Sequence, residues 1–499
     1  MQRIIRKVSS IFSSRTGDEE SLEFAEGQES SSSGMQHHTP VIVPRREHGI
    51  SRKHIDKSAL DVLYGLKRAG FEAYLVGGAI RDLLLGLSPK DFDVVTNAKP
   101  EEVKKVFKSR CRLIGRRFRL AHVRFDRDII EVATFRGQAE DKPSSKSKFE
   151  MKKPFRRRGR KPALEGREVD EHGRLIRDNV YGSIDEDVWR RDFTINALYY
   201  NIQNFSIVDY VGGVEDIQAR LIKLIGEPEQ RYREDPVRMI RAVRFSAKLD
   251  FKIDEATQAP IPKLGHLLEE VSHARMFEEV LKLFHSGVAQ KVYQQLQDYQ
   301  LFRFLFPITA DLIEAEKAGA ATDAVTEKII LAALKSTDAR IQEGKPVNPS
   351  FLFAAMLYQP MRLRQAQLEE MEGLNPRDAF FAAASEVLDR QNFSTAIPKR
   401  FQAQIKEIWD LQYRLERRKG DRAARLREHP RFRAAYDFLG IRLDAGEESV
   451  RELFDWWTHY QTLEPLEQVA FANEVLVPSK KKRKPRKNRN FYRKKHQAE

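Results

Sequence analysis

Leu75-Val76-Gly77-Gly78-Ala79-Ile80-Arg81-Asp82, followed by Asp91-Phe92-Asp93, decides how this chain is read. An apolar strand runs into paired glycines, a short helix and a second strand that carries two carboxylates. Side chains alternate across a strand, so Asp91 and Asp93 are expected on one face, with α-carbons roughly 6.5 Å apart. That spacing lets both carboxylates share a hard cation. Gly77 and Gly78 let backbone N–H groups approach a phosphate closely, and the helix start after them adds positive potential. The combination reads as a site for a metal ion and a nucleoside triphosphate.

Two later segments carry further candidates. Ser183-Ile184-Asp185-Glu186 is a capping box, and the helix it opens is expected to run through Arg190-Arg191-Asp192-Phe193-Thr194-Ile195-Asn196. Asp192 and Asn196 are four apart and so share a helix face. An acceptor and an amide on one face suit a ribose, with Arg191 beside them for phosphate. The second segment is Glu234-Asp235-Pro236-Val237-Arg238-Met239-Ile240-Arg241. Pro236 is placed as the first helical residue and Asp235 as its cap. Val237, Ile240 and Val243 form the buried side, and Asp235, Arg238 and Arg241 fall on another. A carboxylate and a guanidinium together can read a base edge, since one accepts and the other donates.

LVGGAIRD, the short LLLG helix, DFDVVTNAKPEEV and RRDFTINAL resemble the head of the nucleotidyltransferase superfamily in its class II branch. That branch holds the bacterial poly(A) polymerases and the CCA-adding tRNA nucleotidyltransferases. The resemblance implies Mg²⁺ at Asp91 and Asp93, and triphosphate contacts near Gly77, Gly78, Arg81 and Asp82. It implies that Asp192 is grouped with the catalytic carboxylates. Glu131, on a strand, is a rival third carboxylate, and the sequence does not settle which of the two it is. It also implies that Asp235 and Arg238 read the incoming base, with Arg241 nearby. Leu113-Ile114-Gly115-Arg116-Arg117-Phe118 looks like the segment that separates bacterial poly(A) polymerases from their CCA-adding relatives, with Arg116 and Arg117 placed to hold RNA.

The expected activity is therefore template-independent polyadenylation of RNA 3′ ends from ATP, releasing pyrophosphate and promoting RNA decay. CCA addition to tRNA is the alternative within the class, and a non-catalytic RNA-binding scaffold the alternative outside it. The partners implied are ATP and RNA 3′ ends, with RNA-decay proteins beyond them, and a monomer is expected.

Bulk properties agree. The chain has 499 residues, 41% hydrophobic, and a formal net charge of +15, which favours a polyanionic partner. The basic tail Lys480-Lys481-Lys482-Arg483 adds sequence-independent RNA affinity. Cys111 is the single cysteine. It excludes a disulfide framework and a cysteine zinc site and fits a reducing cytoplasm. No apolar run spans a bilayer. Ile4, Ile5, Val8, Ile11 and Phe12 offer at most weak contact with a membrane surface.

The fold class expected is α+β: a mixed β-sheet head with helices, followed by an all-α neck, body and tail. Residues 1–49 read as a disordered leader and 50–226 as the catalytic head, with a basic insertion at 138–178. Residues 227–290 read as the helical neck, 291–477 as the helical body and 478–499 as a disordered basic tail. Ser58 is expected to cap the first helix of the head.

Overall fold

The computed structural model describes residues 39–475, apart from 116–118, 127, 138–166, 170–174, 179 and 321–323. The leader before residue 39, Arg116, Arg117, most of the basic insertion and the tail with Lys480–Arg483 lie outside the described residues.

Eight strands make one mixed sheet. They are β1 (Val41–Val43), β2 (Ala73–Val76), β3 (Asp93–Thr96), β4 (Cys111–Ile114), β5 (Leu120–Phe125), β6 (Asp128–Thr134), and, after a separate two-stranded hairpin β7 (Arg167–Val169) and β8 (Leu175–Asp178), β9 (Leu198–Asn201) and β10 (Ile207–Asp209). The order across the sheet is β1-β10-β9-β2-β3-β6-β5-β4, antiparallel throughout except for the parallel pair β3–β6. Two expectations are corrected here. Residues 41–43, read as leader, pair with β10 at the sheet edge. The insertion contains the paired strands β7 and β8.

The register aligns one row of side chains across the whole sheet. Ile42, Val208, Tyr199, Val76 and Asp93 stand opposite one another in turn. Val94 pairs with Val132, so Asp93 stands beside Glu131, and the row continues through His122 to Arg112. On the β10–β2 side this face is covered by an apolar cluster that includes Val76, Tyr199, Val208, Phe135, Val188 and Ile225. From Asp93 onward it turns polar. The opposite row, Leu75, Val94, Val132 and Ala121, is buried. Helices α1 (Lys57–Arg68) and α3 (Pro100–Phe107) pack on the sheet there. In α1, Ala59, Val62, Leu63 and Leu66 recur at helical spacing and are fully buried, each large side chain worth about 1.5–3 kcal/mol. Its cap is Asp56, which accepts from the amides of Ser58 at 2.7 Å and Ala59 at 3.4 Å. Ser58 lies two residues past the cap, inside the helix.

The glycine turn after β2 leads into α2 (Gly78–Leu84). The capping box holds: the Glu186 carboxylate accepts from the Ser183 amide at 2.8 Å and opens α4 (Ile184–Trp189). Helices then dominate: α5 (Gly213–Gln218), α6 (Pro228–Glu234), α7 (Val237–Leu249), α8 (His273–Phe284) and α9 (Ala289–Asp298).

The chain divides into two compact units. One contains the sheet and the helices named so far, with 334–347 and 385–397. The other is helical. In it Trp409 on a helix over Lys399–Leu415 donates to the Ala354 carbonyl at 3.0 Å, and Trp457 on a helix over Arg451–Thr462 donates to the Leu415 carbonyl at 3.1 Å. Each buried indole N–H is thereby satisfied, that of Trp457 inside an apolar cluster with Leu415 and Phe432. Among the described residues no helix is long and apolar enough to cross a membrane.

Candidate active site

Gly77 ends β2 with φ 76° and ψ −138°, a conformation open to glycine and strained for any other residue. Gly78 then begins α2. A Cβ on Gly78 would lie 3.3 Å from Nη2 of Arg81. Arg81 is buried; its Nη1 donates to the Asn196 amide oxygen at 2.7 Å, and its Nε and Nη2 donate to Asp82 at 2.9 and 2.7 Å. Asp82 thus holds Arg81 in place over the glycine turn.

Asp93 is the first residue of β3, with Asp91 and Phe92 just before it, so the two acids do not share one strand as expected. Both are exposed. The Asp93 carboxyl is pushed up to about 6. Partial desolvation of the carboxyl is the largest cause, the neighbouring Glu131 the next, then Asp91, with Arg191 opposing. Glu131 is therefore the carboxylate beside Asp93, and it also binds Nε2 of His122 at 3.1 Å.

Asp192 occupies a different environment. Arg241 of α7 donates from Nε at 2.9 Å and also from Nη2 to its Oδ2. The Phe193 amide donates to its Oδ1 at 2.8 Å, and Asn196 Nδ2 at 3.2 Å. Burial works to raise its pKa, but Arg241 and these hydrogen bonds hold it down at about 2. Asp192 and Asn196 do meet, yet not on a helix. The chain leaves α4 at Trp189, and Asn196 lies in a 3-10 turn over Thr194–Asn196. The reason is backbone pairing with 223–225: the Thr194 amide donates to the Lys223 carbonyl at 3.0 Å, and the Ile225 amide to the Asp192 carbonyl at 2.9 Å.

Arg191 is fixed by residues the sequence reading passed over. Its Nη2 donates to Asp187 at 2.9 Å and its Nε to the Tyr199 hydroxyl at 2.8 Å, while that hydroxyl donates to Asp187 at 2.8 Å. Burial acts to lower its pKa, but Tyr199 and Asp187 win and raise it. The i,i+4 spacing of Asp187 and Arg191 was the available signal.

Asp235 lies between α6 and α7 and does not cap the second; the residue before α7 is Pro236. Asp235 instead accepts from Arg275 at 2.7 Å through Oδ2, and its Oδ1 is buried without a partner. Arg238 donates from Nη1 to the Arg231 carbonyl at 2.7 Å and to Glu234 at 3.2 Å. Nε of Arg231 and Nε of Arg244 are also buried and unpartnered. Arg81, Arg241 and Arg244 all lie over the Phe245 ring, at 5.3, 5.4 and 4.7 Å. Buried unpartnered polar atoms are costly unless a ligand meets them. Three such atoms lie on α6, on α7 and on the link between them.

The sequence has close relatives. The chain is 48% identical over 452 residues to "Poly(A) polymerase I" of Salmonella typhi, covering 90% of this chain and 92% of that protein. The chain belongs to the poly(A) polymerase I family. The protein of that name from Haemophilus influenzae is 43% identical over 457 residues, 91% of this chain and 94% of its own length. The family models place a "Poly A polymerase head domain" at residues 73–223, a "Probable RNA and SrmB- binding site of polymerase A" at 250–313 and a "Polymerase A arginine-rich C-terminus" at 372–491. A "CCA-adding enzyme" of Lactobacillus helveticus is 35% identical over 243 residues, 49% of this chain and 53% of that one. The fold is that of the solved "Thermotoga maritima CCA-adding enzyme complexed with tRNA_CCA", with a TM-score of 0.53 at 18% identity, covering 89% of this chain and 92% of that one. The poly(A) polymerase head thus contains the Gly77–Gly78 turn, Asp91, Asp93, Glu131 and Asp192, and Asp235, Arg238 and Arg241 follow it.

Proposed function

We propose that this chain adds AMP from ATP to RNA 3′ ends without a template and releases pyrophosphate. The observation that carries the reading is the match to poly(A) polymerase I over nine-tenths of the chain, against half the chain for CCA-adding enzymes.

The acidic edge at Asp93, Glu131 and Asp91 offers oxygen donors alone, the set a hard divalent cation takes. Desolvation first, and then the charges of Glu131 and Asp91, raise Asp93, and a bound cation offsets both, so the residues fit Mg²⁺. Among the described residues no group of three or more His, Cys, Asp or Glu is arranged to hold a metal ion; Asp91 and Asp93 would hold it. When bound, Mg²⁺ lowers the pKa of the attacking hydroxyl and neutralises charge on the leaving triphosphate.

The chain's own residues do the rest. The Gly77–Gly78 turn brings backbone close to phosphate, Arg81 and Arg191 supply fixed positive charge beside it, and Asn196 is held at the ribose by Asp192 and Arg81. The unpartnered Oδ1 of Asp235 accepts from the exocyclic amino group of the base, and the Arg238 guanidinium stands one turn on to donate. Asp192 acts as the anchor for Arg241, and Glu131 completes the acidic edge. Arg116, Arg117 and the Lys480–Arg483 tail supply general RNA affinity by counterion release.

Extension of a labelled RNA with each nucleoside triphosphate separately, with and without Mg²⁺, tests the reading. A long ladder with ATP alone is expected. Ordered CTP then ATP addition to tRNA transfers the chain to the CCA-adding reading, and no incorporation at all refutes catalysis.

A further inference from the structure

The polar half of the long side-chain row does not stop at the acidic edge. Beyond Glu131 it runs to His122 and Arg112, on the same sheet face as Asp93, across three strand spacings or roughly 15 Å. There the face opens into a pocket of about 620 Å³ whose lining includes Arg110, Arg112, Arg124, His122, Phe125 and Ile129. Strand alternation accounts for the set. Arg112 on β4, His122 and Arg124 on β5, and Ile129 on β6 all point away from the helices that cover the other face.

The chemistry of the lining is specific. Three guanidinium groups converge on one surface, with Asp126 the acid at the rim. Arg110 lies 5.5 Å over the Phe125 ring, and Arg124 Nε donates only to a backbone carbonyl, that of Asp126, at 3.4 Å. Arg112 has no ion pair among the described residues. Ile129 is 54% exposed and adds an apolar surface beside these cations. Cations for phosphates, beside an aromatic ring and an aliphatic side chain for bases and sugars, are what single-stranded nucleic acid requires.

We propose that this pocket on β4–β5–β6 binds the stretch of single-stranded RNA just upstream of the 3′ end being extended. The inference rests on the polymerase reading for its direction. The row leads from the acidic edge into the pocket, so RNA whose terminus sits at Asp93 has its preceding phosphates over His122, Arg112 and Arg124.

The test is RNA binding by the full chain without ATP, read by fluorescence anisotropy with a labelled oligoadenylate of about 15 nucleotides. Arg112→Glu with Arg124→Glu is expected to raise Kd about tenfold and to reduce the slope of log K against log salt by about one unit or more. Arg112→Lys with Arg124→Lys, which keeps the charge, is expected to stay within about threefold of the parent. Unchanged Kd and slope in a double-Glu variant that melts like the parent overturns the proposal and leaves the pocket to an acidic protein segment. Should the double-Glu variant not fold, Arg112→Gln alone decides between the same two outcomes. Because binding is read without chemistry, a chain that loses RNA in these variants yet never incorporates AMP refutes the reaction and keeps the pocket.

Discussion

Arg241 grips Asp192 through two nitrogens on one carboxylate oxygen, and so fastens helix α7 to the loop after α4. Removing one partner leaves a largely buried charge unmatched. Asp192→Ala should cost about 2–4 kcal/mol, and Arg241→Ala a similar amount. The double variant should lose clearly less than the sum, measured by urea denaturation as a double-mutant cycle. The sign with pH follows from the depressed carboxyl. Its folded value is about 2 against an ordinary 3.8, so the pair's contribution is complete above about pH 4 and disappears as pH falls towards 2. In Asp192→Asn that part of the acid sensitivity should vanish.

Asp93 titrates in the opposite sense. Its carboxyl sits at about 6 in the metal-free chain, so below that pH it holds a proton that a cation must displace. Mg²⁺ affinity should weaken about tenfold per unit as pH falls below 6 and level off above about 7. Glu131→Gln removes the charge that is the second cause of this shift and should move the break to lower pH. Calorimetric Mg²⁺ titrations across that range check both.

Asp93→Ala should reduce AMP incorporation by about a thousandfold or more with no loss of thermal stability, since an exposed strand-end residue is removed and not a core one. Glu131→Gln should cut kcat, whereas Asp192→Asn should act mainly through stability and KM for ATP. A full loss of kcat in Asp192→Asn with Glu131→Gln unaffected would reverse that assignment.

Gly77→Ala places a side chain at φ 76° and should cost about 1 kcal/mol in backbone strain. Gly78→Ala is not strained, but its Cβ meets the Arg81 guanidinium at 3.3 Å and presses it away from Asn196. KM for ATP should rise several-fold in Gly78→Ala while the melting temperature barely moves. Steady-state kinetics with a thermal melt separates the two variants.

The parts of this design that the sequence made legible are local ones. Gly77, Gly78 and Asp93 belong to a strand-turn-helix-strand unit whose spacing carries its own geometry, and the capping box at Ser183 and Glu186 is a four-residue rule. What escaped depended on distant chain. Asp192 and Asn196 were expected on a helix because their spacing is helical, but residues 223–225 draw that stretch into extended pairing and a 3-10 turn. Asp235 looked like a cap, yet Arg275, forty residues on, engages its carboxylate. That Glu131 stands next to Asp93 follows only from the parallel register of β3 and β6, which no local spacing carries. Val41–Val43 has too little pattern to be a strand by itself and exists because β10 offers it an edge.

A single line of residues crosses all eight strands and changes character between Val76 and Asp93. On one side of that border Val208, Tyr199 and Val76 are covered; on the other the side chains are left open to visitors. The scaffold can therefore be rewritten in its open half, from Glu131 out to Arg112, to suit a different guest without disturbing the half that keeps the sheet standing.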